Sequence, residues 1–311
     1  MQPRALMMIL GPTASGKTAL ALTLARKLPV EIISVDSALI YRGMDIGSAK
    51  PTREELALCP HHLIDIREID ESYSAADFRT DALRLIDEIH ARGRFPLIVG
   101  GTMLYAKALR EGIDELPSAD PGVRAAVLKE GKTFGWPAMH EKLAEVDPVT
   151  AARLAVNDSQ RISRALEIYR QTGRAISDYQ KGEAQPDPTI VTVGLVPGDR
   201  AHLHRVIGGR FDAMVASGLL DEVENLMKSP RFIRESPAMR CVGYRQAVDY
   251  LLGECTREAF LDRAKAATRQ LAKRQMTWLR SMKAVTVFDP YAEEAGVLAG
   301  KLMQLTDAER G

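Results

Sequence analysis

The chain has 311 residues, of which 46% are apolar and 27% are charged, the composition of an ordinary soluble globular protein. That length allows one large domain or a core with an inserted lobe. The formal net charge of +1 argues against a protein that coats nucleic acid through bulk positive charge, although it leaves room for a local basic surface.

The cysteines and histidines give no sign of a structural metal. Cys59, Cys241 and Cys255 show no CxxC spacing, which indicates reduced thiols rather than a disulfide framework or a zinc site. His61 and His62 are adjacent and have no further ligand set nearby, so we predict that they lie in a loop.

No targeting or membrane segment is visible in the sequence. The first strand begins within a few residues of the N-terminus, no signal peptide or Arg-rich transit segment precedes it, and no apolar run reaches membrane-spanning length. We therefore expect a cytoplasmic protein without membrane contact. Since no coiled-coil seam is visible, we expect a monomer.

The first strand and helix flank a phosphate-binding loop. The strand Ala5–Leu10 and the helix Lys17–Lys27 enclose a full match to G-x-x-x-x-G-K-[ST], and this order is typical of a P-loop. Its glycines turn backbone N–H groups toward an anion, Lys17 adds a charge, and the Thr18 hydroxyl can bind Mg²⁺. The motif does not say whether the phosphates belong to a nucleotide. The predicted phosphate-binding residues are Gly11, Pro12, Thr13, Ala14, Ser15, Gly16, Lys17 and Thr18.

The first part of the chain continues as alternating strands and helices. This alternation predicts an α/β fold with a P-loop NTPase-like parallel sheet flanked by helices. Ligands of such sheets bind at the carboxyl ends of the strands, so the three segments that follow them should converge on one site. The predicted strands are Glu31–Val35 and Pro96–Val99, the helices are Ala75–Arg92 and Thr102–Arg110, and the converging segments are 11–18, 36–41 and 100–105.

Residues 117–187 interrupt this pattern. They show helical periodicity without a good strand, and a buried-strand pattern returns at Ile190–Val196. We predict an all-helical insertion domain at 117–187 within a catalytic core formed by 1–116 and 188–311. The core ends with predicted helices at Ala201–Ala216, Leu219–Lys228, Tyr244–Leu252 and Thr256–Met282 and a strand at Val285–Phe288.

Two strand ends carry candidate catalytic residues. Asp36 follows the second strand and could act as a general base or a magnesium-shell ligand, although Asp is also common as a helix N-cap. After the third strand the chain continues as Gly100-Gly101-Thr102, without the acidic residue that helps nucleotide-hydrolysing P-loop proteins to hold Mg²⁺. These residues suit a closely approaching ligand, and a tight turn capped by Thr102 explains them equally well.

Three segments are rich in arginine and lysine. They are 160–164, 240–245 and 273–280, and the last of these also contains Gln275 and Trp278. Cations interleaved with an amide and an aromatic residue suit phosphate contacts and base stacking, whereas a solvated outer helix face is the simpler alternative. Three such segments in one P-loop protein favour a phosphate-rich macromolecular partner.

Taken together, these segments resemble the tRNA dimethylallyltransferase (tRNA isopentenyltransferase) family over nearly the whole chain. The motifs that carry the resemblance are GPTASGKT at 11–18, VDSALIYRGMDIGSAKP at 35–51, VGGTMLYAKAL at 99–109, LPSADP at 116–121, NDSQRISRALE at 157–167, RCVGYRQ at 240–246 and TRQLAKRQMTWLR at 268–280. The resemblance implies transfer of the dimethylallyl group of dimethylallyl diphosphate to N6 of adenosine 37 in tRNAs that read UNN codons, with release of diphosphate and with Mg²⁺ as cofactor.

The resemblance also implies roles for individual residues. Asp36 would accept the proton of the adenine amine, Thr102 would orient it, and Lys17 with the loop would hold the diphosphate. The insertion would grip the anticodon stem-loop. The implied tRNA-contacting residues are Asp36, Ser37, Ala38, Leu39, Thr102, Arg124, Gln160, Arg161, Ile162, Ser163, Arg164, Arg240, Cys241, Val242, Gly243, Tyr244, Arg245, Lys273, Arg274, Gln275, Met276, Thr277, Trp278, Leu279 and Arg280.

Two other functions compete with prenyl transfer. One is a P-loop kinase that phosphorylates a small metabolite, and the other is a nucleotide-switched RNA-binding protein without transfer chemistry. The acid-free turn after the third strand weakens both alternatives, and the basic segments argue against a small-metabolite kinase.

Overall fold

The computed structural model describes residues 6–114, 116–118, 120–180 and 185–308. Ala5 of the first predicted strand and Ala119 of the motif at 116–121 lie outside these ranges. The chain divides into two compact units, one formed by Met1–Glu111 with Pro186–Gly311 and the other by Gly112–Gln185.

The first unit is built on a sheet of six parallel strands in the order β3-β2-β4-β1-β5-β6. Apolar runs form its central strands because helices cover both faces, and this arrangement confirms the predicted α/β fold. The strands are β1 Leu6–Leu10, β2 Val30–Val35, β3 His61–His62, β4 Phe95–Gly100, β5 Ile190–Leu195 and β6 Thr286–Phe288.

The sheet separates two apolar cores. Met8 and Leu10 of β1 pack on one face, while Met7 and Ile9 pack on the other, as the two-residue period of a strand requires. The helices of the first unit that precede the second unit are α1 Lys17–Ala25, α2 Arg53–Leu58, α3 Ala75–Ala91 and α4 Met103–Glu111.

All regular secondary structure in the described residues of the second unit is helical. Val127, Met139, Leu143, Ile162 and Leu166 form its core. Its helices are α5 Pro121–Phe134, α6 Trp136–Val146, α7 Pro148–Ala151 and α8 Ser159–Thr172, followed by a 3₁₀ turn at Ile176–Tyr179.

Within the described residues, five helices complete the first unit. The helices α1 and α13 pack on one face of the sheet, and the opposite face is covered by α3, α4 and α10–α12. Among the described residues, no helix is both long and apolar enough to cross a membrane. The five are α9 Arg200–Ala216, α10 Leu219–Met227, α11 Tyr244–Leu251, α12 Arg257–Ser281 and α13 Ala295–Ala308.

The prediction that His61 and His62 lie in a loop is wrong. They form β3 at the edge of the sheet, in register with Ile32 and Ile33 of β2. His62 Nε2 lies 2.7 Å from a carboxylate oxygen of the buried Glu31, which also accepts a hydrogen bond of 2.7 Å from Arg92. Two residues are too few to show a strand period, so the pattern gave no signal there.

Candidate active site

The sheet brings three strand ends to one edge. Gly100 of β4 is in register with both Val35 of β2 and Leu10 of β1. The residues that follow these strands therefore meet at the carboxyl edge, where they line a cavity of about 1000 Å³. The lining includes Lys17, Thr18, Asp36, Thr102, Arg210, Arg240, Arg274 and Trp278.

The P-loop folds as a cradle at the start of α1. Ala14 and Gly16 have positive φ angles of 64° and 77°, which turn the chain tightly before the helix begins at Lys17. The Ala14 carbonyl accepts a hydrogen bond of 2.8 Å from the Tyr291 hydroxyl, which braces the loop from outside. Lys17 Nζ donates to the Pro12 carbonyl at 2.6 Å, and the buried Ser15 hydroxyl has no hydrogen-bond partner among the described residues.

Lys17 and Asp36 have shifted pKa values in this cavity. The pKa of Lys17 is lowered to about 8: desolvation is the main cause, the charge of Asp36 opposes the shift, and the charge of Arg210 adds to it. Desolvation also raises the pKa of Asp36 above its ordinary value, against the hydrogen bonds that its Oδ1 accepts from the N–H groups of Ala38 (2.8 Å) and Leu39 (3.4 Å). A carboxylate with a raised pKa is a stronger base, and a desolvated lysine at a phosphate loop gains most from an anionic ligand.

The close packing of two strands explains the first glycine of the turn Gly100-Gly101-Thr102. A Cβ on Gly100 would lie 2.1 Å from the Val35 carbonyl oxygen, because β2 and β4 approach closely at this point. The Thr102 hydroxyl accepts a hydrogen bond of 3.0 Å from the Ser37 N–H and donates one of 3.3 Å to the Ser37 hydroxyl. It therefore joins the turn to the segment that carries Asp36.

We expect Gly100→Ala to destabilise the first unit by about 1–3 kcal/mol or more, because the added methyl group would meet backbone that cannot yield. Gly209→Ala is the matched control, since a Cβ at that position in α9 has no neighbour within 4 Å. In urea unfolding the control should keep or raise the wild-type stability. Equal stability of the two variants would contradict the close approach of β2 and β4.

Gln275 of α12 links the P-loop to the turn after β4. Its side-chain oxygen accepts a hydrogen bond of 2.9 Å from the Thr13 N–H, and its Nε2 donates one of 2.9 Å to the Gly101 carbonyl. One amide thus satisfies a donor and an acceptor on two separate loops. The sequence predicted Gln275 only as a tRNA contact, and these two hydrogen bonds give it a structural role in the first unit.

Gln275→Leu should lower the stability by about 1–3 kcal/mol, because it leaves the Thr13 N–H and the Gly101 carbonyl without their partner. Gln270→Leu, at an exposed position of the same helix, changes the same chemistry without those hydrogen bonds. Thermal unfolding of both variants should separate them clearly. If Gln275→Leu is as stable as its control, Gln275 does not stabilise the protein by linking the P-loop to the turn after β4.

The basic segments of the first unit separate into exposed and buried positions. Arg240 and Arg274 are exposed and line the cavity with Trp278, whose side chain is 37% exposed. Lys273, Thr277, Arg280 and Arg245 are also exposed. Cys241 and Val242 are half-buried in the cavity wall, beside Gly243.

Several of the residues predicted to contact tRNA have buried side chains in this structure. Met276 and Leu279 pack in apolar cores because they lie on the inner face of α12. Tyr244 is fully buried, and its hydroxyl is bound by Glu222. In the second unit, Ile162 and Ser163 are buried on the inner face of α8. The sequence pattern marked these segments as wholes and did not separate their faces.

The cations of the second unit surround acidic groups. Arg124 and Arg164 lie 3.8 and 3.5 Å from the carboxylate of Glu167, a buried residue of α8. Arg161 pairs with Asp158 at 3.3 Å. Half of the Arg124 side chain is exposed, at 52%, and Gln160 and Arg161 are exposed as well, so these groups remain accessible to a ligand.

Sequence reasoning missed Arg210. This α9 residue lines the cavity, and its charge acts on both Lys17 and Asp36. No motif surrounds it, since Gly209-Arg210-Phe211 is an ordinary helical stretch in which only its neighbour Phe211 belongs to the core. Its proximity to the P-loop arises from the tertiary fold alone.

The described part of the chain has no group of three or more histidine, cysteine or acidic residues arranged to hold a metal ion. Thr18 and Asp36 nevertheless offer oxygen atoms in the same cavity as the phosphate-binding loop. Mg²⁺ prefers oxygen ligands and commonly takes most of them from phosphates and water, so the residues present fit a magnesium ion bound together with a diphosphate.

Comparison with known proteins identifies close relatives. The family model described as IPP transferase matches residues 39–282. The chain is 57% identical to the tRNA dimethylallyltransferase of Burkholderia thailandensis over 292 residues, which cover 92% of this chain and 90% of that protein. It resembles the crystal structure of the full-length tRNA isopentenylpyrophosphate transferase from Bacillus halodurans with a TM-score of 0.72 and 38% identity, covering 99% of this chain and 98% of that one. A eukaryotic dimethylallyltransferase acting on tRNA matches with a TM-score of 0.77 and 27% identity over 92% of this chain and 73% of its own.

Proposed function

Because the chain belongs to the tRNA dimethylallyltransferase family, we propose that it transfers the dimethylallyl group of dimethylallyl diphosphate to N6 of adenosine 37 in tRNAs that read UNN codons, and releases diphosphate. One observation carries the proposal: a phosphate-binding loop, a carboxylate of raised pKa and exposed arginines line the same cavity. That cavity suits an anionic leaving group, a proton acceptor and an RNA substrate together.

Asp36 is the proposed general base. The lone pair of the adenine amine is delocalised into the ring, so the amine is a weak nucleophile until its proton is accepted. As the nitrogen bonds to the allylic carbon, the carbon–oxygen bond breaks, the electron pair leaves with the diphosphate, and the proton moves to Asp36. Thr102 is proposed to orient the amine, which is supported by its hydrogen bond of 3.0 Å to the Ser37 N–H beside Asp36.

Lys17, the loop N–H groups and Arg210 are proposed to stabilise the departing diphosphate. Both side chains line the cavity, and the charge of Arg210 contributes to the lowered pKa of Lys17. An anion between them would relieve their repulsion and restore the proton affinity of Lys17. Mg²⁺ would be held by Thr18 and diphosphate oxygens, and it would neutralise part of the leaving-group charge.

The exposed cations around the cavity are proposed to bind the anticodon stem-loop. Arg240, Arg274 and Trp278 line the cavity in which Asp36 lies. The target adenosine must leave its stack to reach Asp36, and guanidinium and indole planes can stack on an extruded base. Arg124, Gln160, Arg161 and Arg164 are the candidates for tRNA contacts in the second unit. We also propose that the protein works as a monomer.

Lys273→Ala and Arg274→Ala should each weaken tRNA binding and lower the slope of log K against log salt concentration by about one, because each would release one phosphate contact. Gln270→Ala, on the same helix, is the uncharged control. Filter binding across a salt series measures the slope. An unchanged slope would assign these cations to an ordinary solvated helix face.

The proposed function is tested by incubating the protein with unmodified tRNA, Mg²⁺ and dimethylallyl diphosphate labelled in its dimethylallyl group. We expect label in the tRNA without any need for ATP. A P-loop kinase is the competing function, and it would transfer labelled γ-phosphate from ATP to a small metabolite instead. Turnover of ATP with no label in the tRNA would overturn the proposal.

A further inference from the structure

A run of backbone N–H groups in the loop at 45–48 is bound by two side chains from distant helices. Glu222 of α10 accepts hydrogen bonds from the N–H groups of Asp45 (2.9 Å), Ile46 (2.7 Å) and Gly47 (3.2 Å). The Tyr244 hydroxyl of α11 accepts one of 3.1 Å from the Ser48 N–H and donates one of 2.6 Å to Glu222.

The arrangement is an anion-binding nest whose anion is supplied by the protein itself. Successive backbone N–H groups that point to one side form a concave site for a negative charge. Here the Glu222 carboxylate fills that site, and the buried Tyr244 ring supports it from behind. The packing is tight, since a Cβ on Gly47 would lie 2.7 Å from atoms of Tyr244 and Leu219.

The same loop forms part of the cavity wall. Gly47, Ser48, Ala49, Lys50 and Pro51 line the cavity that also contains Lys17 and Asp36. Lys50 holds the base of the loop, donating to the Tyr41 carbonyl at 3.0 Å and to the carboxylates of Asp45 and Asp65 at 2.6 Å each. Side chains other than Lys17, Asp36 and Thr102 therefore hold this part of the cavity wall in place.

We infer that Glu222, assisted by Tyr244, is a positioning residue that fixes the 45–48 loop, and with it the part of the cavity wall formed by Gly47 and Ser48, for donor binding. The inference rests on the proposed function. Without the carboxylate, the N–H groups of Asp45, Ile46 and Gly47 would lose their shared acceptor, and the Tyr244 hydroxyl that binds the Ser48 N–H would lose its own. The loop would then have to be ordered at the expense of the donor's binding energy. Tyr244 itself belongs to the 240–245 segment, so its hydroxyl links two segments that line the cavity.

The test compares Glu222→Ala with Glu224→Ala, a control in the same helix whose carboxylate is exposed and pairs with Lys228 at 3.4 Å. Steady-state transfer to tRNA gives kcat and the KM values for dimethylallyl diphosphate and tRNA. We expect Glu222→Ala to raise the donor KM by about tenfold or more. Glu224→Ala should keep all three wild-type values.

Chemical rescue separates positioning from a general structural role. Sodium acetate should lower the donor KM of Glu222→Ala toward the wild-type value, because its carboxylate can occupy the vacated nest, whereas sodium chloride of equal ionic strength should not. Tyr244→Phe removes only the hydroxyl, and we expect a smaller rise in the donor KM, of about threefold. It provides the decisive measurement if Glu222→Ala fails to fold.

Three results would overturn the inference. The first is a wild-type donor KM in both Glu222→Ala and Tyr244→Phe, and the second is a donor KM of Glu222→Ala that does not respond to acetate. The third is a fall in kcat alone that matches the loss of folded protein measured by circular dichroism. The wild-type protein tests the proposed function in the same assay. Absence of transfer by the wild type would reject that function, whereas an active wild type with unaffected variants rejects only the role of Glu222.

Discussion

Asp36→Asn should lower kcat for dimethylallyl transfer by about 10²–10⁴-fold, the usual contribution of a general base. The amide oxygen of asparagine can still accept the hydrogen bonds from the N–H groups of Ala38 and Leu39, so the loop should keep its conformation. Only the capacity to accept a proton is lost. Single-turnover transfer to tRNA measures the chemical step, and direct titration with dimethylallyl diphosphate should show that donor binding survives.

The role of Asp36 also predicts how the transfer rate depends on pH. Desolvation raises the pKa of Asp36, and the base acts only when ionised, so the wild-type rate should fall as the pH falls through that raised pKa. This acid limb should be absent from the small residual rate of Asp36→Asn. Asp70→Asn, which removes only the carboxylate of a surface ion pair with Arg231, should behave as the wild type. A wild-type kcat in Asp36→Asn would remove Asp36 from the role of base.

Lys17→Met should lower kcat/KM for the donor by about 10²–10³-fold, because it removes a desolvated positive charge from the diphosphate site while keeping an unbranched side chain. Transfer rates at limiting dimethylallyl diphosphate and saturating tRNA measure this parameter. Lys27→Met changes an exposed lysine just beyond α1 and is the matched control. Loss of activity in both variants alike would argue against a specific contact of Lys17 with the diphosphate.

The titration of Lys17 predicts that kcat/KM for the donor declines at alkaline pH. Its lowered pKa means that the charge is present below pH 8 and is lost as the pH rises through about 8. The wild-type kcat/KM for the donor should therefore decline above that pH, by at most tenfold per pH unit. Lys17→Met has no such group and should lack the decline. If kcat/KM of the wild type stays constant up to pH 10, Lys17 does not titrate near pH 8 during donor binding.

The sequence predicted the parts of the fold that depend on local pattern. The apolar run Ala5–Leu10, followed by Gly11 and Lys17, predicted β1, the P-loop and α1, because a strand followed by this glycine–lysine pattern and a helix is typical of phosphate-binding loops. The convergence of Asp36 and Thr102 on the P-loop followed from the geometry of a parallel sheet, and the structure places all of them along one cavity.

Local sequence patterns could not predict the features that depend on tertiary packing. Gln275 binds Thr13 across 262 positions of sequence, and Glu222 binds Asp45 across 177, and neither side chain differs locally from any other polar residue of a helix. The burial of Met276 within a basic segment likewise depends on which face of α12 meets Leu203 and Ile207. A helical period indicates that a buried face exists, but the partner decides which polar residues become structural.

In the proposed function, one cavity contains both the loop that binds diphosphate and the base that acts on tRNA. The most direct test of this claim is mass spectrometry of nuclease fragments from tRNA incubated with the protein, Mg²⁺ and dimethylallyl diphosphate, compared with the same tRNA carrying guanosine at position 37. We predict one dimethylallyl group on adenosine 37, one diphosphate released for each group transferred, and an unmodified guanosine variant. Transfer to another position, or diphosphate release without modification of the tRNA, would contradict the claim.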